Sequence, residues 1–148
     1  MSEAADRVLL LTACGVAIGT LVPVALHQLG LLEHLPDPPG ALFESDAITE
    51  SEMAHPFGVP DGLMGLASYG TTLALACVAD RSQMARKALG AKLLLDGGAA
   101  GFNATRQVVR FRRVCSWCMG TAVATAVMVW AGRRFVAAAV RGGAEALR

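Results

Sequence analysis

The chain has 148 residues, enough for one domain. It is 54% apolar and 17% charged, where soluble domains average about 45–50% and about 25%. A net charge of +1, with no basic stripe interleaved with aromatics, points to no nucleic-acid partner. Four cysteines, only two of them close in sequence, exclude a disulfide-stapled secreted scaffold.

Val8 to Leu32 runs 25 residues without a formal charge. As a helix it reaches roughly 37 Å, more than the ~30 Å hydrocarbon core of a bilayer. It is too long for the apolar core of a cleavable signal and is read as a retained helix, 8–32. Residues 33–61 form an outer loop. Glu33 to Glu52 carries six acids and no Lys or Arg. Pro36, Pro38, Pro39 and Gly40 break helix there, with room for a short surface helix near Ser45–Ala54.

Gly62 to Ala79 is 18 uncharged residues, giving a second spanning helix over about 62–80. The stretch 88–110 contains Lys92, Asp96, Arg106 and Arg110 and fails a simple hydropathy test. Lys92 and Asp96 lie four apart, on one helix face, where they can neutralise each other. This predicts a third helix, with an interfacial helix as the alternative. Val114 to Gly132 is 19 uncharged residues closed by Arg133 and Arg134, giving a fourth helix over 114–135. Glycines of the first and third helices (Gly15, Gly19, Gly97, Gly98, Gly101) suit close helix approach. The expected fold is an all-α integral-membrane four-helix bundle.

Basic residues set the orientation. Arg7, the 80–92 link and the arginine-bearing tail fall on one side, which the positive-inside rule makes cytoplasmic. Both termini are then cytoplasmic and the acidic loop lies outside an inner membrane. Arg106, Arg110, Arg112 and Arg113 oppose this arrangement without outnumbering the inner set.

Cys115-Ser-Trp-Cys118 is the strongest chemical signal. Cysteines three apart at a helix start share a face, and their sulfurs can reach bonding distance. Free N–H groups and the helix dipole there favour a thiolate, the species that attacks disulfides. Zinc would need further ligands at suitable spacing, and c-type haem attachment would need a His where Met119 stands. Two packing cysteines remain an alternative. Cys14 and Cys77 read as packing residues, and His27, His34 and His55 share no metal spacing. His55-Pro-Phe-Gly-Val-Pro60 is either a turn leading into the second helix or a lip over a lipid-soluble ligand.

Phe57-Gly-Val-Pro60 followed by Leu63-Met-Gly-Leu-Ala-Ser-Tyr69, with Cys115-Ser-Trp-Cys118 after a third helix, resembles the vitamin K epoxide reductase family. The resemblance implies four helices around a quinone, menaquinone or ubiquinone, and a CxxC pair that exchanges electrons with it and with thiols. By position, Cys118 would face the quinone and Cys115 would exchange with an outer partner, a thioredoxin-like periplasmic protein. Ala54, His55 and Phe57 would fall near the head group, and Phe102 and Asn103 on the pocket wall. The chain departs from the family in its loop. Members carry two further cysteines there as an electron relay, but here Glu44, Ser45, Ser51 and Glu52 occupy the region. The resemblance therefore supports either a quinone-linked thiol–disulfide oxidoreductase or a degenerate, non-catalytic relative that binds quinone or a membrane partner.

Overall fold

The computed structural model describes residues 2–146. Helix α1 (Glu3–Gln28) leads into the long acidic loop before the second long helix. The loop holds α2 (Ser45–Thr49) and two single 3-10 turns, Glu52–Ala54 and Pro56–Gly58. Then come α3 (Asp61–Val78), α4 (Gln83–Arg106) continued by a wide π-type turn at Gln107–Phe111, α5 (Ser116–Ala131) and α6 (Arg133–Ala146).

α1 starts five residues before its uncharged run because Ser2 caps it. The Ser2 hydroxyl accepts from Ala5 N–H at 3.2 Å, and Glu3 and Asp6 complement the free N–H groups of the first turn. It ends at Gln28, earlier than expected, because Gly30 takes a φ of +72°. That left-handed residue lets Gly30 and Leu31 bond back to the His27 and Leu26 carbonyls, which closes the helix.

The helix expected over 114–135 is two helices. Gly132 interrupts it, and α5 and α6 meet at 69°. Two contacts explain the break. A side chain at Gly132 would come within 2.3 Å of Leu93, and the next two residues are tied to the start of α1. Arg133 reaches Asp6 at 2.9 Å and Arg134 reaches Glu3 at 2.7 Å. α6 therefore folds back along α4.

By length and composition, α1 and Asp61–Arg81 can each cross a membrane, and the bent α5–α6 pair makes up to a third span. α4 does not qualify among the described residues. α1 packs between α3 and α5, and α4 against α3, α5 and α6. Their shared core includes Leu10, Cys14, Ala17, Leu89, Leu93 and Met128. In lipid, packing rather than water exclusion drives helix association, so backbone proximity matters. Of the glycines that the spacing suggests, only Gly97 meets a neighbouring helix, where a Cβ would lie 3.1 Å from Val129 of α5. Gly15, Gly19, Gly98 and Gly101 face open space. A Cβ at Gly62 would lie 3.0 Å from Ala25 N, and one at Gly90 would lie 2.0 Å from the Phe135 carbonyl. α1 meets α3, and α4 meets α6, at these two points.

α4 tolerates its charges because they are partnered. Lys92 pairs with the buried Asp96, as their four-residue spacing allows. Ser68 and Thr72 of α3 donate to the same carboxylate at 2.8 and 2.6 Å, so the ion pair also joins two helices. Burying the pair without these partners would be costly.

Candidate functional site

Cys115 is the cap of α5, with its backbone extended and its thiol at 0% exposure. The N–H of Cys118 donates to Cys115 Sγ at 3.1 Å, and the N–H of Cys115 donates to Gln107 Oε1 at 2.9 Å. The π-type turn after α4 places Gln107 there, and the left-handed Arg112 (φ +53°) then reverses the chain toward α5.

The acidic loop after α1 is fastened over this point. Asp37 accepts from the hydroxyls of Ser45 and Ser116 at 2.6 and 2.5 Å, and from Ser45 N–H at 2.8 Å. Ser116 N–H donates to Ser45 Oγ at 3.1 Å. Trp117 Nε1 donates to the Pro36 carbonyl at 3.0 Å. Leu42 to Glu44 pair with Val114 through two backbone hydrogen bonds, and Arg113 meets Glu44 at 2.7 Å. Cys115 thus lies beneath a tied-down strap.

Electrostatics follow the contacts. Hydrogen bonding from Cys118 lowers the Cys115 thiol below its ordinary 9.0; burial opposes this and Ser45 assists it. Burial pushes the Asp37 carboxyl up, but the bonds from Ser116 and Ser45 outweigh it and hold it below the ordinary 3.8. No disulfide joins Cys115 and Cys118 in this structure.

Cys118, whose thiol meets that of Cys115, also faces inward. With Thr121 and Ala122 it lines a cavity of about 420 Å³ between α1, α3, α4 and α5, roofed by the turns after α2. Most of the lining is apolar: Leu21, Val24, Ile48, Met53, Met64 and Phe102, among others. Polar groups gather at the roof. Gln28 donates to Asp61 at 2.8 Å and to the carbonyls of Thr49 and Ala54, and Arg106 donates to the Met53 carbonyl at 3.0 Å. Ser68 and Asp96 form a second polar point.

Ala54 and Asn103, expected at a head-group site, line this cavity, as does Phe102. His55 and Phe57 do not. His55 turns back to bond the Ser51 carbonyl at 3.1 Å. Phe57 sits at φ +59° and is 100% exposed, because that left-handed backbone directs its ring away from the cavity. Cys14 is a buried core residue whose thiol meets the Tyr69 carbonyl at 3.4 Å, and Cys77 is exposed. Motif spacing does not single out Asp61, Gln107 or the Asp37–Ser45–Ser116 set. Asp61 alone leaves a trace, as the one charge between Pro60 and the uncharged run from Gly62.

The helices thus set a CxxC pair beside an apolar cavity of small-molecule size. The chain belongs to the vitamin K epoxide reductase family, whose model matches residues 8–132. That membership and the apolar helices mark a membrane protein, with quinone-linked redox chemistry in general terms. No curated protein matches the chain in sequence.

Proposed function

We propose that the protein is a quinone-linked thiol–disulfide oxidoreductase of the inner membrane. The observation that carries this reading is the division of labour within the CxxC pair: Cys118 lines the apolar cavity, and Cys115, whose thiol is acidified, lies under the outer loop.

The cavity suits a quinone. Its volume falls in the range of about 300–1,000 Å³ usual for small-molecule sites, and apolar walls with a few convergent polar groups are what such a ring requires. Cys118, Ala54, Asn103, Asp61 and Arg106 would hold the head group. A bound quinone, menaquinone or ubiquinone, supplies a two-electron acceptor. The chain's residues supply the rest. Cys115 and Cys118 give up two electrons and two protons as their disulfide forms, and the acceptor takes up both as a quinol. A partner carrying a thioredoxin-like dithiol on the outer side then restores the pair by exchange at Cys115: one partner thiol forms a mixed disulfide there and the second resolves it, so the partner leaves with its own disulfide. His55 and Phe57, on the roof turn, would sit at the membrane edge beside the cavity mouth.

The four long helices α1, α3, α4 and α5 would form a four-helix membrane bundle with cytoplasmic termini. The charges support this orientation. Arg7, Arg86, Arg133 and Arg134 gather with Asp6, Glu3 and Asp80 at the end remote from the CxxC pair. The test is anaerobic turnover of the purified protein with a dithiol and a quinone. Wild type reduces the quinone, and Cys115→Ser and Cys118→Ser do not. Full activity in Cys118→Ser would end the proposal.

One observation favours a second reading, a non-catalytic quinone binder. Cys115 is fully buried and the loop that covers it has no cysteine to relay electrons. Alkylation trapping separates the two readings, because a binder's thiols stay reduced when quinone is added.

A further inference from the structure

The end of the molecule opposite the CxxC pair carries a second cleft, of about 490 Å³. Three helices build it. α1 gives Glu3, the first turn of α4 gives Gln83 and Arg86, and α6 gives Arg134, Ala137, Ala138 and Arg141. Nothing in the redox reading uses it.

Two of the guanidinium groups are held in place and under-neutralised. Arg134 and Arg86 lie over the Phe135 ring, 4.6 and 5.4 Å from its centroid, and Phe135 is buried in the core. Gly90 fixes that platform by letting α4 touch the Phe135 carbonyl. Arg134 Nε is buried and has no hydrogen-bond partner among the described residues. Arg134 pairs with Glu3, whose side chain is 84% exposed; such a pair contributes little and yields to a stronger anion. Arg86 meets Asp80 only at 3.8 Å, and Asp80 is also engaged by Arg7. The first turn of α4 adds its helix-dipole positive end.

Guanidinium groups converging on one hollow suit a phosphate, which they bind in bidentate fashion. The position says which phosphate. The cleft lies where the candidate spans α1 and α3 reach their shared end, at the 69° bend from which α6 leaves α5. Arg81, Lys87 and Arg133 lie on the same end of the fold. Basic pockets between helices at a membrane surface bind anionic head groups. We propose that the cleft between α4 and α6 binds the phosphate of an anionic phospholipid, held by Arg86, Arg134 and Arg141 with Gln83. The proposal is independent of the CxxC chemistry.

The experiment is native mass spectrometry of the full chain in detergent, titrated with phosphatidylglycerol or phosphatidylcholine. Wild type retains phosphatidylglycerol in preference by about tenfold or more, the effect of two or three arginine charges on an anionic head group. Arg86→Gln/Arg134→Gln loses the preference, and Arg81→Gln, an exposed charge outside the cleft, keeps it. Should the double variant not fold, Arg141→Gln, which leaves the Phe135 platform intact, must lower the preference. Equal retention of the two lipids overturns the proposal, as does equal loss in Arg81→Gln, which would mean diffuse surface attraction. Displacement of the lipid by inorganic phosphate at comparable concentration would also overturn it, because the cleft would then be a soluble-anion site.

Discussion

Asp37 accepts the Ser116 hydroxyl at 2.5 Å across 79 positions of sequence, and this bond ties the outer loop to the residue beside Cys115. Together with the two bonds from Ser45, it makes one carboxylate the fastening of the strap that covers the thiol.

Replacing that carboxylate should uncover Cys115. In Asp37→Ala, alkylation of Cys115 by a bulky maleimide should rise by about tenfold or more, since charge-assisted hydrogen bonds contribute about 1.5–3 kcal/mol each. Site-resolved mass spectrometry reads the modification. Equal rates in wild type and variant would show that the strap does not limit access.

The same fastening should be acid-labile. The Asp37 pKa is depressed in the folded state, so its contribution is present in full above the ordinary 3.8 and is lost as pH falls through the folded value. Fluorescence of Trp117, in a Trp130→Phe background, should report release of its bond to Pro36 only below 3.8. A transition well above that pH, or one unmoved in Asp37→Asn, would assign the opening to another group.

Cys115 should become a thiolate at a lower pH when Cys118 is present. In the Asp37→Ala background its alkylation rate should reach half-maximum below pH 9.0, and Cys118→Ala should move that midpoint upward, because the largest acidifying contact is then gone. A midpoint that stays put would mean that the helix terminus alone acidifies the thiol.

The Lys92–Asp96 pair predicts a strongly unequal set of stabilities. Asp96→Ala leaves Lys92 facing Ser68 and Thr72 without a counter-charge and should cost about 3–5 kcal/mol. Lys92→Met/Asp96→Leu, which removes both charges, should cost less than Asp96→Ala alone. Thermal unfolding in detergent measures both. A double variant as damaged as the single one would place the loss in packing rather than charge.

The sequence exposes features that depend on local order. Uncharged run length marks where α1 and α3 lie, although α1 begins five residues before its run and ends four residues before the run does, because a membrane-length helix needs no distant partner to be recognised. The four-residue spacing of Lys92 and Asp96 foretells their pairing for the same reason. What escapes is decided at long range. The break at Gly132 depends on Leu93, Asp6 and Glu3, each far away in the chain. Asp37, Ser45 and Ser116 become a unit only once the loop has returned to α5. The CxxC spacing announces a thiol pair but not that one member is sealed beneath the strap while the other reaches a cavity, which is set by Gln107, the strap and the cavity walls.

That last arrangement gives one motif two solvents. On the proposed reading, Cys118 would meet what dissolves among Met64, Phe102 and Ala122, and Cys115, buried as it stands, would meet only what the strap admits from water. A reagent's partition coefficient, more than its reactivity toward thiols, then selects which sulfur it meets. Two probes of equal intrinsic reactivity, one lipophilic and one hydrophilic, would label different members of a pair only three residues apart.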